Sequence, residues 1–411
     1  MAASSRKWRL AAAIAVLSLA VDAQAESFEQ PPSFSAAKIL GDAASGTNYV
    51  IVDPVPSDGY LRNYTLKTPA GVFTVNGDQM LFMRFKEFAA LDALDKTASS
   101  ERFAKAVLKA GLSPLEFAGN LITKPISTVE NTVSGVGQFF DGIGSGVRNA
   151  GKSQDSTLAS VTGAAKEKRL LAYQYGVDPY TDFKPLAERL NDLARASALG
   201  GLAVKGAFIA VPGAAGAVVS NVSTASSLNE AVRDNSAAQL LDANRKGLIG
   251  LGIKKDAVEK LLSNRNYTPV DAVAMVAALT QLRKLGGLDI AVSRAATARS
   301  RDIAYLTRRR IELIAAYQQK NGTLAGFVAV QGSPFPLCAT RDNGIVGIFP
   351  FDAVSWTEPT SQVFAAMSAT AKEQGATGAK LFAITGTATP LAKKKLAALG
   401  WELRETIAAA P

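Results

Sequence analysis

Residues 379–404, AKLFAITGTATPLAKKKLAALGWELR, contain a complete strand–helix–strand pattern. The first part is an apolar run of strand length that ends in glycine. Thr389 and Pro390 then supply a capping hydroxyl and a proline at the first helical position, and Gly400 closes the helix pattern. A second strand pattern follows over residues 401–406. The stretch therefore predicts a βαβ or split βαβ unit.

Further strand patterns precede this unit. The segments TLAGFVAVQG, LCATR and IVGIF lie between residues 323 and 349, and Asp342-Asn343-Gly344 separates the last two as a hairpin turn. A helix pattern covers residues 361–373. Residues 322–411 are therefore predicted to form a small C-terminal α+β domain that is split βαβ-like.

The other end of the chain has the pattern of a secretory leader. Three basic residues precede an apolar run over residues 10–21, and Ala23-Gln24-Ala25 fits a cleavage site. The apolar run is too short to span a bilayer. Residues 1–25 are therefore predicted to be a signal peptide, and the mature protein is expected to be periplasmic or secreted in a bacterium.

Three regions follow the leader. Residues 26–48 predict an extended N-terminal segment, and residues 49–82 predict an antiparallel β meander with a turn at Asn76-Gly77. Residues 83–321 predict a large α-helical body. The predicted fold class is therefore α+β and mainly helical.

Caps and apolar periodicity define helices within this body. Gly176 marks one helix end, and Thr268-Pro269 marks a helix start. Apolar spacing predicts one helix over residues 226–243 and one long helix over residues 288–320.

Two segments of the body, 125–147 and 198–219, are rich in small residues. The first has apolar residues spaced by three and four, although five glycines lie in its second half. We expect the two segments to pack on each other, because small residues allow helix backbones to approach closely. The alternative is that they contact lipid.

The composition excludes several kinds of site. The chain has no histidine and one cysteine, Cys338, which removes histidine-dependent nucleophilic catalysis, ordinary catalytic zinc sites and any intramolecular disulfide. Cys338 lies in an apolar run and is expected to be buried.

The S-x-x-K spacing at Ser35 and Lys38 lacks the companion motifs of serine acyl-transferases and is attributed to chance. Removal of residues 1–25 takes away three basic residues and one acid, so the net charge falls from +10 to +8. This mild basic excess suits anionic envelope polymers or membrane surfaces, or solubility alone, and nucleic acid is not expected as a partner.

A candidate anion site lies in the strand-to-helix turn of the opening stretch. Thr387, Thr389, Lys393 and Lys394 surround a helix N-terminus, where backbone N–H groups bind anions. The alternative is an ordinary turn with solvated lysines. No catalytic residue, metal ligand or cofactor is assigned.

Residues 293–313 contain six arginines. Arg299 and Arg310 fall on or beside the apolar stripe, so each needs a carboxylate or carbonyl partner if it is buried. Glu312, Asp302 or an acid from another helix could supply this partner. We predict an ion-paired helix interface, and the alternative is a site for an anionic ligand.

Three stretches of the sequence carry a resemblance to other proteins. They are YQYGVDPYTDFKPLAERLNDLARAS (residues 173–197), LLSNRNYTPVDAVAMVAALTQL (residues 261–282) and TPLAKKKLAALGW (residues 389–401). They resemble sequences of exported bacterial proteins of unknown function. The resemblance implies an exported bacterial protein and no particular activity.

These observations favour a non-catalytic exported binding or scaffold protein of the cell envelope. Its partner is expected to be an envelope polymer, another envelope protein or the membrane surface. One alternative is a membrane-active helical protein that uses residues 125–147 and 198–219. A second alternative is a histidine-independent hydrolase or transferase.

Overall fold

The computed structural model describes residues 27–46, 48–98, 163–200 and 222–407. In these ranges the fold is α+β and mainly helical, as predicted, with antiparallel strands near the N-terminus and a larger sheet near the C-terminus. The signal peptide of residues 1–25, the segment 125–147 and most of the segment 198–219 lie outside the described residues. What the sequence predicts for them stays a prediction.

Short strands, one short α-helix and a 3₁₀ helix over Gly41–Ala44 form the N-terminal region. The strands and the α-helix are β1 (Ser33–Phe34), α1 (Ala36–Leu40), β2 (Ser45–Gly46), β3 (Tyr49–Ile51), β4 (Val55–Pro56), β5 (Asn63–Thr68) and β6 (Gly71–Asn76). The order β2-β3-β5-β6, with antiparallel neighbours, confirms the predicted meander, which we call the N-terminal sheet. The expectation of an extended segment over residues 26–48 is wrong where α1 forms. A tertiary contact favours that helix, because the N–H of buried Ala36 donates to Asp53 Oδ1 at 2.5 Å.

The helical body contains α2 (Asp78–Ala98), α3 (Ala164–Tyr175), α4 (Lys184–Gly200), α5 (Val222–Asp234), α6 (Ala237–Gly250), α7 (Lys255–Leu262), α8 (Pro269–Gln281), α9 (Leu288–Ala295) and α10 (Arg301–Asn321). Gly176 ends α3 with a φ of 64°, and Thr268 caps α8 by accepting the Asp271 N–H, as predicted. Within the described residues, no helix is both long and apolar enough to cross a membrane.

Residues 226–243 do not form the single helix that their apolar spacing predicts. They are divided between α5 and α6. Ser236 and Gln239 form a capping box there, which satisfies backbone donors at the start of a new helix.

The long helix predicted over residues 288–320 is also divided, into α9 and α10. Side chains from a different loop hold the break between them: the amide groups of Asn264 and Asn266 each donate to the carbonyl oxygen of Ala298 at 2.9 Å. These bonds satisfy a carbonyl group that a continuous helix would have used internally.

The C-terminal unit contains β7 (Leu324–Val328), β8 (Leu337–Thr340), β9 (Ile345–Phe349), β10 (Ala353–Val354), α11 (Glu358–Glu373), β11 (Lys380–Ile384), β12 (Thr387–Ala388), α12 (Pro390–Ala398) and β13 (Glu402–Arg404). Its main sheet has the order β13-β11-β9-β8-β7. The pairs β13-β11 and β11-β9 are parallel, and β9-β8 and β8-β7 are antiparallel. Because β11 and β13 are direct neighbours, the unit of residues 379–404 is an unsplit βαβ.

This sheet is covered on both faces, and alternate side chains of its central strands point to opposite faces. Val346 and Ile348 of β9 belong to the apolar core that contains Ile311 of α10. Ile345 and Phe349 belong to the core formed with α11 and α12. Full burial of each such side chain contributes about 1.5 to 3 kcal/mol, so the two layers fix the position of the strand ends.

Candidate functional site

The four residues of the predicted anion site lie where the parallel strands β9 and β11 end. Right-handed crossovers bring helix N-termini to this edge of a parallel sheet, and ligands of open α/β sheets bind there. Thr389 caps α12 by accepting the Ala392 N–H at 3.1 Å. Thr387, Lys393 and Lys394 are exposed.

The carboxylate of Glu405 lies at this edge. Its Oε1 accepts the Ala388 N–H at 2.7 Å, and its Oε2 pairs with Lys393 Nζ at 2.7 Å. Burial by itself raises the pKa of Glu405, but the hydrogen bonds from Lys393 and Ala388 outweigh it and hold the pKa below its usual range. The chain thus supplies an anion of its own to Lys393.

A second carboxylate, that of Glu29, reaches the same edge from the beginning of the described chain. Its Oε1 accepts the Trp356 N–H at 2.6 Å and the Thr389 hydroxyl. The Glu29 N–H in turn donates to the Trp356 carbonyl oxygen at 2.9 Å. Thr389 therefore binds a carboxylate of the chain, and an external anion that used its hydroxyl would have to displace Glu29.

The loop after β9 carries a buried aspartate, Asp352, that the sequence analysis does not single out. Its Oδ2 accepts the N–H groups of Arg62 and Asp78 at 3.1 and 3.0 Å. Asp78 in turn pairs with Arg62 Nη1 and accepts the Tyr64 hydroxyl, both at 2.6 Å. Burial, together with the nearby charge of Asp78, raises the pKa of Asp352 well above its usual range. This contact joins the N-terminal sheet and α2 to the C-terminal unit.

Arg310 is buried, as its position on the apolar stripe predicts. Its guanidinium donates to the carbonyl oxygen of Ile348 at 2.8 Å and to that of Pro336, and it lies 4.4 Å from the ring centroid of Phe349. Burial lowers the pKa of Arg310 to about 10. Arg299, which also falls on or beside the stripe, is exposed because it lies in the break between α9 and α10.

The neighbouring arginines form a buried ionic cluster. Its members are charged residues of α2, of the 177–183 loop, of α8 and of α10: Arg84, Glu87, Asp178, Asp182, Asp271, Arg301, Arg308, Arg309 and Glu312. This confirms the predicted ion-paired helix interface.

Two of the candidate partner acids take part in the cluster, but they bind arginines other than Arg299 and Arg310. Glu312 binds Arg308 at 2.8 Å and Arg309 at 2.5 Å, and Asp271 is the acid from another helix. Asp271 lies 2.7 Å from Arg301 and 3.5 Å from Arg308. The third candidate, Asp302, accepts instead from Asn76 at 2.6 Å.

The 177–183 loop brings the acids that the sequence analysis missed. Asp182 pairs with Arg84 at 2.8 Å, and Arg84 also pairs with Glu87 at 2.6 Å. The Thr181 hydroxyl donates to Glu87. The dense Asp and Thr content of the 177–183 loop and of the start of α8 is the signal that could have found these acids.

The remaining sequence candidates have structural positions. Cys338 is fully buried, as expected. Ser35 precedes the five-residue α1 without capping it through its side chain, and Lys38 is exposed. Among the described residues, no three acidic or cysteine side chains are grouped so that they could hold a metal ion.

No protein-family model, curated protein or solved structure matches the chain. The function must therefore be inferred from the contacts and charges of the chain itself.

Proposed function

We propose that the protein is a non-catalytic binding or scaffold protein of the bacterial cell envelope, exported by residues 1–25. In this proposal it contacts an anionic polymer or membrane surface through Lys393 and Lys394 of α12. The observation that carries the proposal is the exposure of both lysines in the first two turns of α12. The helix dipole opposes positive charge at this end, so these lysines do not serve the stability of their own helix.

The pairing of Lys393 is compatible with exchange for an external anion. Its side chain is 48% exposed although it pairs with Glu405. Ion pairs at the surface contribute only about 0 to 1 kcal/mol, so the ammonium group can leave Glu405 at little cost. Lys394 makes no ion pair with any part of the chain that the structure describes. Without the three basic residues and one acid of residues 1–25 the net charge falls from +10 to +8, and this charge adds a long-range attraction toward anionic surfaces.

Cosedimentation of the mature chain tests this proposal. The chain is mixed with purified peptidoglycan sacculi, with vesicles that contain phosphatidylglycerol and with vesicles of phosphatidylcholine alone. We expect binding to at least one anionic material, weakening with salt. The double variant Lys393→Gln/Lys394→Gln should bind roughly tenfold or more weakly, because each lysine near an anionic surface contributes about 1 kcal/mol.

A matched control comes from α7. Lys255 and Lys260 are exposed, and Lys255 also lies in a first helical turn. Lys255→Gln/Lys260→Gln removes the same charge at another place and should leave most of the affinity intact. Equal losses in the two double variants would show that net charge alone drives binding, and absence of binding to every anionic material would contradict the proposed function.

A further inference from the structure

The Thr268 hydroxyl lies between two carboxylates. Its Oγ1 is 2.6 Å from Asp178 Oδ2 and 3.1 Å from Asp271 Oδ2, and it accepts the Asp271 N–H at 3.1 Å. A threonine hydroxyl has a single proton, so it can donate to only one of the two oxygens. A proton on Asp178 completes the arrangement: Asp178 donates to Thr268 Oγ1, and Thr268 donates to Asp271. Thr268 Oγ1 then accepts two hydrogen bonds and donates one, which matches its lone pairs.

The charges of the ionic cluster lead to the same assignment. Each other carboxylate of the cluster lies within ion-pair distance of an arginine: Glu87 and Asp182 of Arg84, Asp271 of Arg301, and Glu312 of Arg308 and Arg309. Asp178 forms no ion pair within the described part of the chain. The cluster contains five carboxylates and four guanidinium groups, so one carboxylate is in excess. The Asp178 side chain is partly buried, and a desolvated carboxyl without an ion-pair partner favours its protonated form.

The pKa of Asp178 agrees with this geometry. Burial, and next the Asp271 carboxylate, raise it to about 6, against the opposing effects of Thr268, the Tyr180 N–H and Arg301. The charged groups that act on Asp178 are Asp271 at the start of α8 and Arg301 of α10. The charged and titratable groups one contact further away come from the loop, from α2, from the residue before the α8 cap Thr268 and from α10: Asp182, Arg84, Glu87, Tyr267, Tyr305 and Arg308.

We propose that Asp178 is a proton-dependent latch. The protonated carboxyl bridges to Thr268 and holds the 177–183 loop against α8 and α10, and loss of the proton loosens the loop. The same carboxyl organises the loop internally, since its Oδ1 accepts the Tyr180 N–H at 2.7 Å. Once Asp178 is ionised, the Thr268 hydroxyl must choose between Asp178 and Asp271, and the two negative charges face each other across it. The physiological setting of the latch rests on the proposed export, since a protein outside the cytoplasm meets such changes of pH.

Carboxyl-carbon NMR of the folded mature chain, with aspartate labelled at Cγ, tests the protonation directly. We expect one aspartate to titrate near pH 6 and its signal to disappear in Asp178→Asn. Asp182→Asn is the matched control in the same loop, and it should leave that titration in place because Asp182 has its own arginine. If Asp178→Asn does not fold, Thr268→Val provides the test, since loss of the hydroxyl must change the titration. An unchanged curve in the variant that folds would overturn the proposal.

Two further measurements test whether deprotonation of Asp178 destabilises the protein and loosens the 177–183 loop. The folded-state pKa lies above the ordinary 3.8, so the stabilising contribution of Asp178 is complete below pH 3.8 and is lost as pH rises through about 6. The unfolding constant of the wild type should therefore rise about a hundredfold between pH 4 and pH 7 relative to Asp178→Asn, whose amide does not titrate. Hydrogen exchange at residues 177–183, corrected for intrinsic rates, should show less protection at pH 7.5 than at pH 5 in the wild type alone. Equal protection at both pH values would contradict the latch.

Discussion

Arg310 is a buried cation whose hydrogen bonds go to carbonyl oxygens. Its guanidinium joins α10 to the C-terminal unit through the carbonyl oxygens of Ile348 and Pro336. It also lies over the rings of Phe335 and Phe349, at 5.6 and 4.4 Å from their centroids. The planar fork of arginine makes such directional contacts, and the ammonium group of lysine does not reproduce them.

We expect Arg310→Ala to destabilise the protein by roughly 3 to 5 kcal/mol. The substitution leaves two buried carbonyl oxygens without donors and opens a cavity beside Phe349. Arg299→Ala is the matched control, since Arg299 is exposed and its loss should change the free energy of unfolding by no more than about 0.5 kcal/mol. Urea denaturation of both variants measures the difference. Equal stability of the two variants would show that the carbonyl contacts of Arg310 do not stabilise the fold.

At the scale of the element, the turn between β11 and β12 requires a glycine at position 386. A Cβ on Gly386 would lie 1.9 Å from the carbonyl oxygen of Asp352, so the turn would have to move. The move would break the bond from the Gly386 N–H to the Phe351 carbonyl oxygen, which is 2.7 Å long. Gly386→Ala should therefore destabilise the protein by roughly 1 to 3 kcal/mol.

The control for Gly386 is Gly250, the last residue of α6. A Cβ there meets nothing within 4 Å. Gly250→Ala should stabilise the protein by up to about 1 kcal/mol, because alanine favours the helix more than glycine does. Thermal unfolding of the two variants should move the midpoint in opposite directions. A shift in the same direction would mean that the steric contact at Gly386 and the helical position of Gly250 do not determine how alanine affects stability at these two positions.

The elements also show which local features the sequence could predict. The start of α8 was predictable because its hydrogen bonds join Thr268 to Asp271, three residues apart. The break between α9 and α10 was not, because Asn264 and Asn266 bind Ala298 from more than thirty positions away. The same break explains why Arg299 is exposed although the apolar periodicity places it on or beside the stripe.

At the scale of the whole molecule, the fold class was predictable because apolar periods and turn residues are local. The side chains that bind the candidate site residues were not predictable from the sequence. Thr389 and Lys393 were found from the helix start, but Glu29 reaches Thr389 from 360 positions away. The buried Asp352 and the partly buried Asp178 lie in loops, and the approach of other elements desolvates both carboxyls and raises their pKa values.

Asp352 couples the two ends of the chain. Its carboxylate accepts N–H groups of Arg62 and Asp78, and its own N–H donates to the Tyr60 carbonyl oxygen at 3.0 Å. Trp356 and Trp401 are both buried in the C-terminal unit, and the third tryptophan, Trp8, lies within residues 1–25. Tryptophan fluorescence of a chain of residues 26–411 therefore reports on this unit alone. Far-ultraviolet circular dichroism reports mainly on the helical body. The two signals can therefore show whether the parts unfold together.

We expect Asp352→Ala to separate these two unfolding transitions and to cost roughly 2 to 4 kcal/mol, because two partly buried N–H groups lose their acceptor. Asp352→Asn keeps an acceptor oxygen and should keep the transitions coincident. Because the folded-state pKa of Asp352 is raised, its stabilising contribution is present at low pH and is lost as pH rises through that value. Asparagine does not titrate, so its stability relative to the wild type should increase from pH 4 to pH 8. Coincident transitions in Asp352→Ala would mean that the other contacts between the N-terminal sheet and the C-terminal unit couple them without this carboxylate.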